Sequence, residues 1–90
     1  VLENLNLLVV DDEPDARELL HFLLQDYGAE VELAASVAEA VEKLQTFDFD
    51  VLISDIEMPN ETGFALIEKV RASNKQGLRK IAAIALTAHA

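Results

Sequence analysis

Asp11 and Asp12 stand side by side at the end of the apolar run Leu7 to Val10, and Asp55 follows a second such run, Val51-Leu52-Ile53. Carboxylates with ordinary pKa values near ~4 are all ionised at neutral pH, so three brought within several ångströms repel unless a cation resolves the charge. A hard divalent ion is the natural partner. Mg2+ prefers oxygen ligands in an octahedron and keeps several waters, so carboxylates plus a carbonyl suffice to hold it. An aspartate already ionised needs no general base to attack phosphorus, and a bound Mg2+ would neutralise charge gathering on a transferred group. The pattern makes Asp55 a candidate phosphate acceptor and Asp11 and Asp12 candidate metal ligands. A plainer alternative has Asp11 to Glu13 merely start a helix, whose positive dipole end favours negative charge. That alternative leaves Asp55 without an account.

The surroundings of Asp55, "SDIEMPNETG" from Ser54 to Gly63, suit a held carboxylate. Pro59 stiffens the chain just beyond it and Gly63 permits a turn into the next helix. Asp-X-X-Met-Pro can also be read as a simple strand-to-loop junction with a buried Met58. Thr87 ends another apolar run and its hydroxyl can donate to a phosphoryl oxygen, although a threonine there also suits capping or a bond to its own backbone.

These residues need elements that bring them together. Leu5 to Val10 has the short apolar pattern of a strand buried on both faces. Pro14 suits the first turn of a helix, along which Ala16, Leu19, Leu20, Leu23, Leu24 and Tyr27 make an apolar stripe ending at Gly28. Glu30 to Leu33 alternates as a half-covered edge strand does. Ser36 with Glu39 forms a capping box ahead of Ala40, Val41 and Leu44, with Phe47 expected to close that helix's apolar face. Val51 to Ile53 is a third strand, Phe64 to Arg71 a third helix through Phe64, Ile67 and Val70, and Ile81 to Leu86 a fourth strand. Only Asn74 to Gly77 is loop-like for any length. Alternating strand and helix predicts an α/β fold, a parallel sheet with helices on its faces. In such a sheet the carboxyl ends of the first and third strands share an edge, which gathers Asp11, Asp12 and Asp55.

Composition sets the outer bounds. Ninety residues make at most one domain. The apolar runs fall far short of the ~20 residues of a membrane span, no basic-then-apolar leader opens the chain, and a soluble protein is expected. The absence of cysteine excludes disulfides and thiolate metal sites and fits a cytoplasmic setting. With 17 acidic against 7 basic residues the net charge is -10. Lys43, Lys69, Arg71, Lys75, Arg79 and Lys80 are too scattered for a phosphate-tracking stripe, so direct nucleic-acid binding is not expected. Neither His21 nor His89 has a second histidine at ligand spacing.

Taken together, "VVDDE" after a first strand, "LISDIEMPNETG" and "IALTA" after a fourth resemble the receiver domain of two-component response regulators over essentially the whole chain. The opening stretch from Leu2 to Val31 looks more like receivers fused to hybrid sensor kinases than like those carrying a DNA-binding output. The resemblance implies a flavodoxin-like, doubly wound parallel sheet of order 2-1-3-4. It also implies that Asp55 takes a phosphoryl group from a histidine kinase or phosphotransfer protein, that Asp11, Asp12, Asp55 and the backbone carbonyl of Glu57 hold Mg2+, that Thr87 follows the phosphate, and that His89 borders the site. Such a domain switches a partner or output domain and is not a turnover enzyme.

The family also has a fifth strand, led into by a lysine that pairs with the phosphoryl group, and two further helices. This sequence stops at Ala90, so residues 1–90 are expected to be a C-terminally incomplete receiver. Lys80 precedes the fourth strand and belongs at the opposite edge. Ile81 to Leu86 would then be an exposed apolar edge open to homo-oligomer pairing. Two rival functions remain: a receiver-like interaction module that works without phosphorylation, and an aspartate-nucleophile phosphatase suggested by Asp55 and Glu57.

Overall fold

The structure is a computed structural model and describes residues 3–58, 62–73 and 81–86. Pro59, Asn74 to Gly77, Lys80, Thr87 and His89 lie outside the described residues. The expected alternation is present: β1 (Asn6–Val10), α1 (Pro14–Asp26), β2 (Glu30–Ala34), α2 (Val37–Thr46), β3 (Val51–Asp55), α3 (Gly63–Arg71) and β4 (Ala82–Leu86). All pairings are parallel, from Asn6 opposite Glu30 to Val10 opposite Ala34, from Leu7 opposite Val51 to Val10 opposite Ser54, and from Val51 opposite Ala82 to Asp55 opposite Leu86. The strand order is β2-β1-β3-β4.

That order follows from chain chirality. The connection from β1 to β2 runs one way along the sheet, and those from β2 to β3 and β3 to β4 run the other. Right-handed crossovers therefore put α1 on one face and α2 and α3 on the opposite face. The chain reverses between β1 and β3, and the crevice beyond their carboxyl ends is where such folds bind ligands. β1 and β3 are central, so Leu8, Val9, Val10 and Leu52 are removed from solvent. Burying each such side chain contributes about 1.5–3 kcal/mol. Leu8, Val10 and Leu52 pack with Val37, Ala40 and Leu44 of α2 and Leu66 and Val70 of α3.

Local chemistry fixes the helix ends. Ser36 Oγ accepts from the Glu39 N–H at 3.1 Å, the expected cap, and Thr62 Oγ1 accepts from the Ala65 N–H at 3.1 Å. Each such cap is worth about 1 kcal/mol. Pro14 opens α1, and Gly28 closes it with φ +96°, where a side chain would be strained.

Four details depart from the sequence reading. The apolar stripe of α1 is only partly covered: Ala16, Leu20 and Leu24 are half-buried, Leu19, Leu23 and Tyr27 are exposed, as is Phe22 beside the stripe, and no residue of α1 is fully buried. The helix lies chiefly against β1 and β2, one half of the sheet. Phe47 does not close the face of α2. Its extended backbone turns the ring toward a cleft with Val31 and Phe49 at the amino edge of the sheet. In α3 the inward residues are Gly63, Leu66 and Val70, and Phe64 points to solvent. β3 also continues through Ser54 to Asp55, so the acidic residue ends the strand instead of following it.

Gly63 does more than permit a turn. Its N–H donates to the Ile56 carbonyl at 2.9 Å, and a Cβ at this position would collide with the Asp55 carbonyl oxygen. Only a glycine lets the start of α3 press against the end of β3. Gly63→Ala is expected to lower stability by about 1–3 kcal/mol, read as a fall in the urea midpoint, and an unchanged midpoint would show that the contact is slack.

Candidate functional site

Asp11 leaves β1 with its backbone still tethered. Its N–H donates to the Ala34 carbonyl at 3.1 Å, extending the ladder one residue past the strand. Its Oδ1 accepts from the Glu13 N–H at 2.9 Å, which turns the chain into α1, and its carbonyl oxygen accepts from Arg17 Nη1 at 2.8 Å. Asp11 is buried at 9% exposure, whereas Asp12 beside it is exposed. Across the reversal point, Asp55 is half-buried at the end of β3, with the Glu57 N–H 3.4 Å from its Oδ1. Ser54, wholly buried, donates its hydroxyl to the Asp55 carbonyl at 3.0 Å.

One carboxylate oxygen from each of Asp11, Asp12 and Asp55 lies within 4.8 Å of the other two. An octahedral dication with bonds of about 2.0–2.1 Å holds its ligand oxygens about 2.9–4.2 Å apart, so small side-chain rotations close the three onto one ion. The donor set, all hard oxygen, suits Mg2+. The electrostatics agree. Burial pushes the Asp11 carboxyl above its ordinary range, the Glu13 N–H pulls it down, the Asp55 and Asp12 carboxylates push it up, and the Arg17 guanidinium pulls it down. The upward influences win, so ionising Asp11 beside its neighbours costs more than it would in water, a cost that a cation would relieve.

The structure thus brings together Asp11, Asp12 and Asp55. Glu57 turns its backbone N–H toward Asp55, while its carboxylate is not one of the three converging groups. Arg17 escaped the sequence reading. One signal was available: a cation in the first turn of a helix sits at the positive dipole end, an unfavourable place unless something local receives it.

No helix among the described residues is long and apolar enough to cross a membrane. A family profile described as "Response regulator receiver domain" matches residues 7–90. An uncharacterised 14.6 kDa protein of Leptolyngbya boryana is 45% identical over 89 residues, which is 99% of this chain and 66% of that protein. The sensor protein EvgS of Escherichia coli is 39% identical over 72 residues, 80% of this chain and 6% of that protein. The chain therefore spans under two thirds of the length of either relative. Among solved structures, response regulator protein TrrA of Thermotoga maritima in complex with Mg(2+)-BeF superposes with a TM-score of 0.85 at 38% identity, over 94% of this chain and 70% of that one.

Proposed function

The chain belongs to the response regulator receiver domain family of two-component signalling, and from that membership we propose that Asp55 accepts a phosphoryl group with Mg2+ held by Asp11, Asp12 and Asp55. The observation that carries this reading is the convergence of three carboxylates at the point where the strand order reverses. That TrrA, similar over most of this chain, is complexed with Mg(2+)-BeF supports a metal at this edge.

The chemistry asked of the chain is modest. An Asp55 carboxylate oxygen forms a bond to phosphorus as the bond from phosphorus to the donor, a kinase or phosphotransfer histidine, breaks. A Mg2+ ion held there would supply positive charge to neutralise the negative charge gathering on the transferred group. Asp11 and Asp12 fix the metal, Asp11 rigidly through its backbone and side-chain hydrogen bonds and Asp12 from the open side. Glu57 completes the set with its carbonyl, and Thr87 donates its hydroxyl to the phosphoryl oxygens. The added charge alters the neighbouring loops and so the surface that a partner or output domain reads. The role is regulatory, the setting cytoplasmic, and residues 1–90 act as one domain.

A second reading, an interaction module that works without phosphorylation, draws support from the exposed apolar side chains Leu19, Phe22, Leu23 and Ile84. In that reading β4, the edge of the described sheet, pairs with a second copy. One experiment separates the two. The purified chain incubated with Mg2+ and acetyl phosphate is expected to gain the mass of a single phosphoryl group, and to gain none when EDTA replaces Mg2+. A folded chain that stays at its original mass in both would favour the interaction module.

A further inference from the structure

We infer that Arg17 is a positioning residue for the metal site, holding the Asp11–Asp12 peptide so that the Asp12 carboxylate faces its partners; this rests on the Mg2+ reading above. The guanidinium of Arg17 reaches back six residues from α1 and donates through Nη1 to the carbonyl oxygen of Asp11 at 2.8 Å. That carbonyl belongs to the peptide unit joining Asp11 to Asp12. The peptide is planar, so holding its oxygen holds the Asp12 N and Cα and narrows the directions from which the Asp12 side chain can leave the loop.

The two neighbouring carboxylates are secured by other means. Asp11 is held by its ladder bond to Ala34 and by the Glu13 N–H, and Asp55 by its place at the end of a paired strand. Asp12 is exposed, in the bend between β1 and α1. A charge-assisted bond from a planar, permanently charged fork to a backbone oxygen is both stronger than a neutral one and more specific in geometry. The Arg17 backbone is itself anchored, because its N–H donates to the Glu13 carbonyl at 3.1 Å in the first turn of α1. Loop and helix are therefore tied at both ends of one side chain.

This role has a signature that simple charge does not share. A guanidinium close to a cation site repels the cation, so if charge alone mattered, removing Arg17 would tighten Mg2+ binding. If Arg17 positions Asp12, removal weakens binding. Supporting groups around metal ligands are typically worth tenfold or more in affinity. The test is an NMR titration of the chain with MgCl2, following backbone amides. Arg17→Met keeps the aliphatic stem and its packing but loses the donor, and is expected to bind Mg2+ about tenfold more weakly. Arg17→Lys restores a cationic donor on a stem of similar reach and is expected to recover most of that loss. Both titrations are run where the amide spectrum without metal shows a folded chain, so that lost binding is not lost structure.

An Arg17→Met chain that binds Mg2+ as well as the parent or better, or an Arg17→Lys chain no better than Arg17→Met, would overturn the inference while leaving the Mg2+ reading intact. A parent chain whose amides ignore Mg2+ would overturn both.

Discussion

Asp55→Asn will keep its unmodified mass after incubation with Mg2+ and acetyl phosphate under conditions in which the parent gains one phosphoryl group. An amide oxygen is a poor nucleophile toward phosphorus, because its lone pairs are delocalised and it carries no charge to be neutralised by bond formation. The substitution is otherwise mild. Asparagine keeps an Oδ1 facing the Glu57 N–H, and the strand pairing of this position with Leu86 is made by backbone. The loss of one of three converging carboxylates also relieves repulsion, so the metal-free variant should melt no lower than the parent. Loss of phosphorylation in a chain of undiminished stability would isolate the chemistry from the fold. Phosphorylation of Asp55→Asn at the parent's rate would place the acceptor elsewhere, and peptide mapping would then show whether Asp12, the exposed neighbour, had taken the group.

The layout of this site was legible because it depends on rules that act over short stretches. Leu7 to Val10 and Val51 to Ile53 could be read as central strands from their unbroken apolar character, and a parallel α/β sheet then forces their carboxyl ends to one edge. Ser36 and Glu39 could be read as a helix start because the cap is made by residues three apart. What escaped depends on contacts across the fold. Leu19, Leu23 and Tyr27 have helical spacing whether or not anything packs on them, and exposure is decided by where α1 sits over the sheet. In α3 the helical spacing holds and Val70 faces inward as expected, but the buried face is rotated away from Phe64. Leu66, not Phe64, is the buried residue, because Gly63 must abut the Asp55 carbonyl and that contact sets the rotation. Arg17 carries no period at all. A cation in the first turn of a helix marks it as unusual, but its partner, a main-chain oxygen in the preceding loop, is given by no pattern of side-chain types.

Asp11→Asn is expected to reverse the sign of a stability difference according to whether Mg2+ is present. Without metal at neutral pH the variant should melt above the parent. The substitution removes a buried charge pressed by Asp55 and Asp12, while its Oδ1 can still accept from the Glu13 N–H. For a domain of this size each kcal/mol of relief raises the melting temperature by about 4–8 °C. With Mg2+ at ten times its Kd the parent gains about 1.4 kcal/mol by mass action, while the variant, with one ligand fewer, gains little, so the order is cancelled or inverted. The pH dependence has a defined direction. Because the folded state raises the Asp11 pKa, the native chain binds its proton more tightly than the unfolded chain does. The stability this contributes is fully present below the ordinary carboxylate value of 3.8 and is lost as pH rises through the folded value. The metal-free parent should therefore fall away from Asp11→Asn across that window and then run parallel to it up to neutrality. Thermal melts of both proteins in EDTA and in Mg2+, from about pH 4 upward, would measure this. A variant less stable than the parent in EDTA at neutral pH would show that the ionised Asp11 is favourably accommodated without a cation, and the physical case for a metal between the three aspartates would lose its main support.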